Sequence, residues 1–243
     1  MNELSDRQKA LLKAVVETYI ETAEPVGSGT IEQNNNLGVS PATIRNEMVR
    51  LTELGYLRKP HSSAGRSPTG QGIKFYIHDL MKPKELSVKD EVAIKEKLWE
   101  DRFEFARLMQ EATRALASQT HALAVAMTDD DEMYAAGTAN ILDMPEFFDI
   151  DVTREVLTML DESGRLRDIC ALSVTNEPIH VILGEDIGQE YLQPIGIVFT
   201  RFQGPRNRQG TLGVIGPMRL NYPVVVPAVR YITDLIDEMS HSW

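Results

Sequence analysis

The stretch Ser40-Pro41-Ala42-Thr43-Ile44-Arg45-Asn46-Glu47-Met48-Val49-Arg50-Leu51 constrains this chain more than any other. A serine followed by a proline is the pairing favoured at a helix start. The hydroxyl caps a free backbone N–H, and proline takes the first helical position, where its missing N–H is not needed. Gly55 closes the helix. At 100° per residue Ile44, Met48 and Leu51 share a stripe expected to be buried, while Ala42 and Asn46 point the opposite way, flanked by Thr43, Arg45 and Arg50. The outer face is therefore small and polar at its N-terminal end, which permits close approach.

Two helices precede it. Ser5 and Gln8 form a capping-box pair, after which Leu11, Leu12, Val15, Val16, Tyr19 and Ile20 recur at helical spacing to about Glu21. Pro25-Val26-Gly27 breaks that helix, and Ser28 starts a short second one through Ile31 and Gln33 that ends in Asn34-Asn35-Asn36-Leu37-Gly38. After Tyr56-Leu57 comes Arg58-Lys59-Pro60-His61-Ser62-Ser63-Ala64-Gly65-Arg66-Ser67-Pro68, which reads as a turn-rich basic hairpin, and then a helix from about Thr69 through Leu80. Helix, helix, helix, basic hairpin is the order of a winged helix-turn-helix. The third helix suits a major groove, with donors and acceptors between Ser40 and Asn46 facing base edges. Arg45, Arg50, Lys59 and Arg66 are then expected at phosphates or in the minor groove. The candidate DNA-contacting set is Ser28, Ser40, Ala42, Thr43, Arg45, Asn46, Arg50, Lys59, His61, Ser62 and Arg66. Two alternatives stay open from the residues alone: that this face meets another protein, and that His61 makes only a local turn contact.

Charge is distributed in keeping with a DNA reader. The chain has 243 residues and a net charge of -11, yet residues 1–80 hold nine basic and nine acidic residues, so the whole excess lies in the remainder. From Arg45 to Lys74 there are six basic residues against only Glu47 and Glu53. A local basic surface inside an acidic protein fits a small DNA-binding part joined to a part that stays off DNA.

Beyond Lys82-Pro83-Lys84 and Ser87, which read as a linker, residues 88–118 are expected to form one long charged amphipathic helix. Its apolar track is Leu98, Phe105, Leu108, Ala112 and Leu116, with Trp99 and Phe103 beside it. That helix suits either packing on the rest of the chain or pairing with a second copy. From His121 strand-like runs follow at Ala122 to Met127, Ile179 to Leu183, Ile195 to Phe202 and Thr211 to Ile215. Helices are expected near Pro145 to Leu160 and from Val224 to Met239. The expected fold class is α+β, with an antiparallel sheet in the second part. The expected partition is a DNA-binding domain at 1–82, a linker and helix at 83–118, and a regulatory domain at 119–243.

Other chemistries find little support. The five histidines show no metal-binding spacing and the single Cys170 lies in an apolar run, so neither a metal nor a disulfide is expected. Gly210, Gly213 and Gly216 lack the helix start a phosphate loop needs and read as strand and turn. Asp129 to Glu132 read as a solvated hairpin tip. No nucleophile–base pair is evident, so neither an enzyme activity nor a cofactor is expected. No apolar run spans a bilayer and the N-terminus lacks the features of a secretory signal, which leads to the expectation of a cytoplasmic protein.

Several blocks resemble one family, the bacterial heat-inducible transcription repressor HrcA. They are Pro25-Val26-Gly27-Ser28, Leu37 through Met48, Leu54-Gly55-Tyr56-Leu57 and Pro60 through Thr69, with a second group at Gly137 through Leu142, Pro145-Glu146-Phe147 and Gly210 through Tyr222. The resemblance implies a homodimeric repressor on an inverted-repeat operator upstream of chaperone operons, released on heat stress, with a GAF-like domain behind the DNA reader. It also implies a link to a GroE-type chaperonin. The alternative keeps the reader but gives the GAF-like domain a small-molecule ligand. This chain departs from the family in three places. A sizeable dimerising segment is replaced by Thr128-Asp129-Asp130-Asp131-Glu132, a customary lysine by Gly29, and the second helix ends in Asn34 to Asn36. The dimer contact is therefore expected from helix 88–118 or from the winged-helix domain.

Overall fold

The computed structural model describes residues 4–35, 38–173, 175, 177–204 and 208–240; Asn36 and Leu37 of the Asn-rich turn and His241 lie outside them. The chain is α+β and divides into two compact units, Met1–Lys82 and Pro83–Trp243.

In the first unit α1 (Asp6–Thr22) starts at the anticipated capping box: the Gln8 amide donates to Ser5 Oγ and the Ser5 amide donates to Gln8 Oε1. Then come α2 (Ser28–Asn34), α3 (Pro41–Glu53), the two-residue strands β1 (Leu57–Arg58) and β2 (Ser67–Pro68), and α4 (Gly70–Phe75), which runs into a π turn at Tyr76–Leu80. Leu11, Leu12, Val15 and Val16 of α1 meet Ile31, Ile44, Met48, Leu51, Leu57 and Tyr76 in one core. Burying each such aliphatic side chain is worth about 1.5–3 kcal/mol. The strands pair antiparallel, Leu57 with Pro68 and Arg58 with Ser67. A further bridge between Val26 and Arg66 ties the hairpin to the segment before α2, with both N···O distances 2.8 Å. Gly65 permits this approach, because a Cβ there would lie 2.3 Å from the Val26 carbonyl oxygen.

The second unit contains α5 (Val88–Glu100), α6 (Phe105–Thr120), β3 (Leu123–Thr128), β4 (Met133–Ala136), α7 (Ile150–Asp161), α8 (Ser163–Ala171), β5 (His180–Leu183), the short α9 (Gly184–Ile187), β6 (Ile195–Gln203), β7 (Gln209–Pro217) and α10 (Tyr222–Ser240). Its sheet is antiparallel throughout, in the order β4-β3-β7-β6-β5. α6 and α10 lie against the sheet. Leu123, Val125, Ile197, Phe199 and Ile215 of the strands join a core with Val152, Val156, Met159, Leu166 and Ile169 of α7 and α8. The glycine-spaced run is strand β7. At Gly213 an added Cβ would meet the Val198 carbonyl at 2.3 Å and Phe199 Cβ at 2.5 Å, so the glycine makes room for the aromatic ring.

The single helix expected over 88–118 is a correction: it is two helices, separated at residues 101–104. The Arg102 guanidinium donates to the Trp99 carbonyl and lies 4.6 Å and 4.1 Å from the centroids of the Trp99 and Phe103 rings. The Glu104 amide donates to Asp101 O at 3.0 Å, a local turn bond in place of the helical ladder. Periodicity missed the break because Ile94 and Leu98 before it and Phe105, Met109 and Leu116 after it keep the same phase. The helix expected from Pro145 begins instead as a 3-10 turn, Pro145–Phe148, before α7. β4 and α8 had no counterpart in the sequence reading: β4 is short and alanine-rich, and α8 includes Gly164 and has no side-chain cap.

Candidate nucleic-acid interface

Within the first unit, α3 presents the face that its spacing requires. Ile44, Met48 and Leu51 are buried, and Ala42, Arg45, Asn46 and Arg50 are exposed. Ser40 caps the helix, its Oγ accepting from the Thr43 amide at 3.3 Å and lying 3.0 Å from Thr43 Oγ1, so the two hydroxyls share a hydrogen bond at the helix start.

Between this helix, the start of α2 and the hairpin lies a cleft of about 410 Å³. It brings together Ser28, Arg45, Lys59, Ser62 and Arg66 from the candidate set, and its lining contains no carboxylate. Ser40, Ala42, Thr43, Asn46 and Arg50 of α3 and His61 of the hairpin do not line it. His61 is exposed at the hairpin tip, where its carbonyl accepts from the Ala64 amide at 3.0 Å. The lining also holds residues outside the candidate set: Val26, Gly27, Met48, Ala64 and Gly65, with Val49, which lies one turn after Arg45 and was findable from helix geometry, and Ser63, a neighbour of Ser62.

Arg66 is placed differently from Arg45 and Lys59. The latter two are exposed, whereas Arg66 is half-buried and directs Nε to Thr52 Oγ1 at 3.0 Å. Neither acidic residue of α3, Glu53 or Glu47, lines the cleft, and Glu47 accepts from Arg7 Nε at 3.0 Å and from Gln8 Nε2 at 3.0 Å, joining α1 to α3. Burial alone would raise its pKa. The hydrogen bonds from Gln8 and Arg7, together with the charges of Arg7 and Arg50, outweigh burial and hold the carboxyl below its ordinary value.

In the second unit, Cys170 is buried and its thiol is pushed up to about 12 by burial, which makes it a core residue with little nucleophilic character. His180 stacks on Phe199 at 4.8 Å with Nδ1 2.9 Å from Ser173 Oγ, and burial followed by the Arg201 charge lowers its pKa. Arg219 clamps Glu146 through two bonds of 2.7 Å and 3.0 Å, fixing the turn after β7 to the 3-10 turn before α7. Asn140 Nδ2 donates to the Ala122 carbonyl at 3.0 Å. The quoted blocks at Gly137–Leu142 and Gly210–Tyr222 thus hold the unit's architecture. Among the described residues no group of three or more His, Cys, Asp or Glu side chains is arranged to hold a metal ion, and no helix is long and apolar enough to cross a membrane.

Comparison with known proteins gives the class. A protein named heat-inducible transcription repressor HrcA from Pelotomaculum thermopropionicum is 28% identical over 337 aligned positions, covering 98% of this chain and 97% of that protein. A namesake from Acetivibrio thermocellus is 30% identical over 240 residues, covering 98% of this chain and 65% of that protein. A crystal structure described as a hypothetical protein superposes with a TM-score of 0.75 at 19% identity, covering 99% of both chains, and so shares the fold. These relatives define a transcription repressor. The model described as HrcA protein C terminal domain matches residues 71–226, and the chain belongs to the HrcA family of heat-inducible transcription repressors. The 337-position alignment exceeds the 243 residues of the chain, so the Pelotomaculum protein has residues with no counterpart here.

Proposed function

We propose that the first unit is a winged helix-turn-helix that holds an operator. α3 lies in the major groove with Ser40, Ala42, Thr43 and Asn46 toward base edges. The hairpin is the wing, with Lys59, His61 and Ser62 at the DNA flank and Arg45 and Arg50 at phosphates. The observation that carries this reading is the cleft: three cationic side chains and two candidate serines converge with no carboxylate among them, in a chain of net charge -11. Such a concentration of positive charge against the overall balance is what a polyanion selects.

The second unit is, in this reading, a GAF-like regulatory domain, and the repressor acts as two copies on an inverted repeat before chaperone operons. Heat releases it through its dependence on a GroE-type chaperonin. Footprinting the purified chain on promoters of its own genome's chaperone operons tests the reading. Protection of an inverted repeat, with a steep fall in affinity as salt rises, is the expected outcome. Equal binding to promoter and scrambled fragments would overturn it.

A further inference from the structure

We infer that Arg66 is a positioning residue: it sets the hairpin against α3 and leaves the phosphate contacts in the cleft to Arg45 and Lys59. This assignment rests on the DNA-reading function proposed above and divides its labour among the three cations.

Arg66 is tied on three sides. Its backbone N–H and carbonyl pair with Val26, the residue before the Gly27 cap of α2. Its Nε donates to Thr52 Oγ1 at 3.0 Å, and that hydroxyl in turn donates to the Met48 carbonyl at 2.8 Å within α3. Its Nη1 lies 3.4 Å from the Gly65 carbonyl in the hairpin. One residue thus joins the segment before α2, α3 and the hairpin, the three walls of the cleft. The chain from Arg66 Nε through Thr52 Oγ1 to Met48 O has a fixed direction, because the threonine proton is committed to the carbonyl and only its lone pairs face the guanidinium.

Swinging this side chain out toward a phosphate breaks the bond to Thr52, a cost that the exposed Arg45 and Lys59 do not meet. Arg45 and Lys59 have no ion pair among the described residues, stand exposed and reach the same cleft. They are the exposed cations open to a backbone phosphate. The Arg66 side chain supplies the geometry: without it the hairpin is left with the β1–β2 pairing and the backbone bridge to Val26, and the height of Lys59 over α3 is no longer fixed.

Salt titration of binding separates the two roles. The full chain would be compared with Thr52→Val, Arg66→Ala, Arg66→Lys and Lys59→Ala on a chaperone-operon promoter fragment and a scrambled fragment. Circular dichroism would verify folding at the binding temperature. Thr52→Val is expected to weaken promoter binding about tenfold, as does Arg66→Ala, with the double variant no worse than either. The salt slope stays unchanged for both, and Arg66→Lys, which keeps the charge but lacks Nε, does not restore binding. Lys59→Ala lowers the slope by about one. Hydroxyl-radical protection at the hairpin flank is lost in Thr52→Val while protection under α3 remains, a change that a general loss of stability does not produce. A parent that discriminates between the fragments while Thr52→Val binds as the parent does, or an Arg66→Ala slope reduced by about one and restored by lysine, overturns the positioning role alone. A parent that fails to discriminate overturns the DNA reading and this assignment with it.

Discussion

At the scale of single residues, Glu47 decides how an acidic side chain is tolerated on the helix proposed to meet DNA. Its carboxylate is satisfied from behind by Arg7 and Gln8 of α1, so its charge also serves as the joint between two helices. Because the folded pKa lies below the ordinary value of 4.5, the carboxylate favours the folded state above that value. The contribution disappears as pH falls through the folded value. Glu47→Gln is expected to cost about 1 kcal/mol near neutrality, a modest figure because Arg7 is half exposed and solvent screens the pair. The same variant should lose less of its remaining stability on acidification below the ordinary carboxylate range. Thermal unfolding followed from neutral to acidic pH checks this, and parallel curves for parent and variant would refute it.

At the scale of elements, α3 was the most legible part of the chain. A Ser-Pro start and a three-residue buried stripe leave one solution for which side faces out, and Ile44, Met48 and Leu51 are buried accordingly. The prediction attached to that face is Asn46→Ala. Removing a side chain proposed to pair with a base edge should cost about 1–3 kcal/mol of discrimination between promoter and scrambled DNA, with the salt slope unchanged. Equal losses on both fragments would mean that Asn46 reads no base. What sequence did not convey was anything set by contact across the fold. Charge and a turn-rich context pointed to Arg66, but its link to Thr52, fourteen residues away, arises only when the hairpin folds back on α3. The break between α5 and α6 was hidden for the opposite reason. The apolar phase continues straight through it, and the interruption comes from Arg102 capturing a carbonyl, which no periodicity records.

At the scale of the whole molecule, the repressor proposed to act as two copies needs a surface that joins them. The alignment with the Pelotomaculum repressor is longer than this chain, so residues available to that relative are absent here. Helix 88–118 was one expected source of the contact, and its division narrows the choice. The apolar stripe of α6, Leu108, Met109, Ala112 and Leu116, is spent inside its own unit. α5 instead buries Ile94 and Leu98 and leaves Val88, Val92 and Trp99 exposed at 75%, 49% and 40%, followed by Phe103 at 64%. Val88, Val92 and Trp99 fall on one side of the helix at spacings of four and seven, and Arg102 stacked on Trp99 and Phe103 stiffens the end of the row. A row of that kind is what a second α5 would cover, which makes α5 the segment expected to pair. Sedimentation at micromolar concentration should then give a dimer for the parent. Val92→Asp, which sets a charge in the middle of the row without touching the buried side, should give a folded monomer with weakened binding to a two-half-site fragment. A parent that remains monomeric both alone and on DNA rules out pairing altogether, whereas a Val92→Asp chain that stays dimeric moves the contact to the first unit.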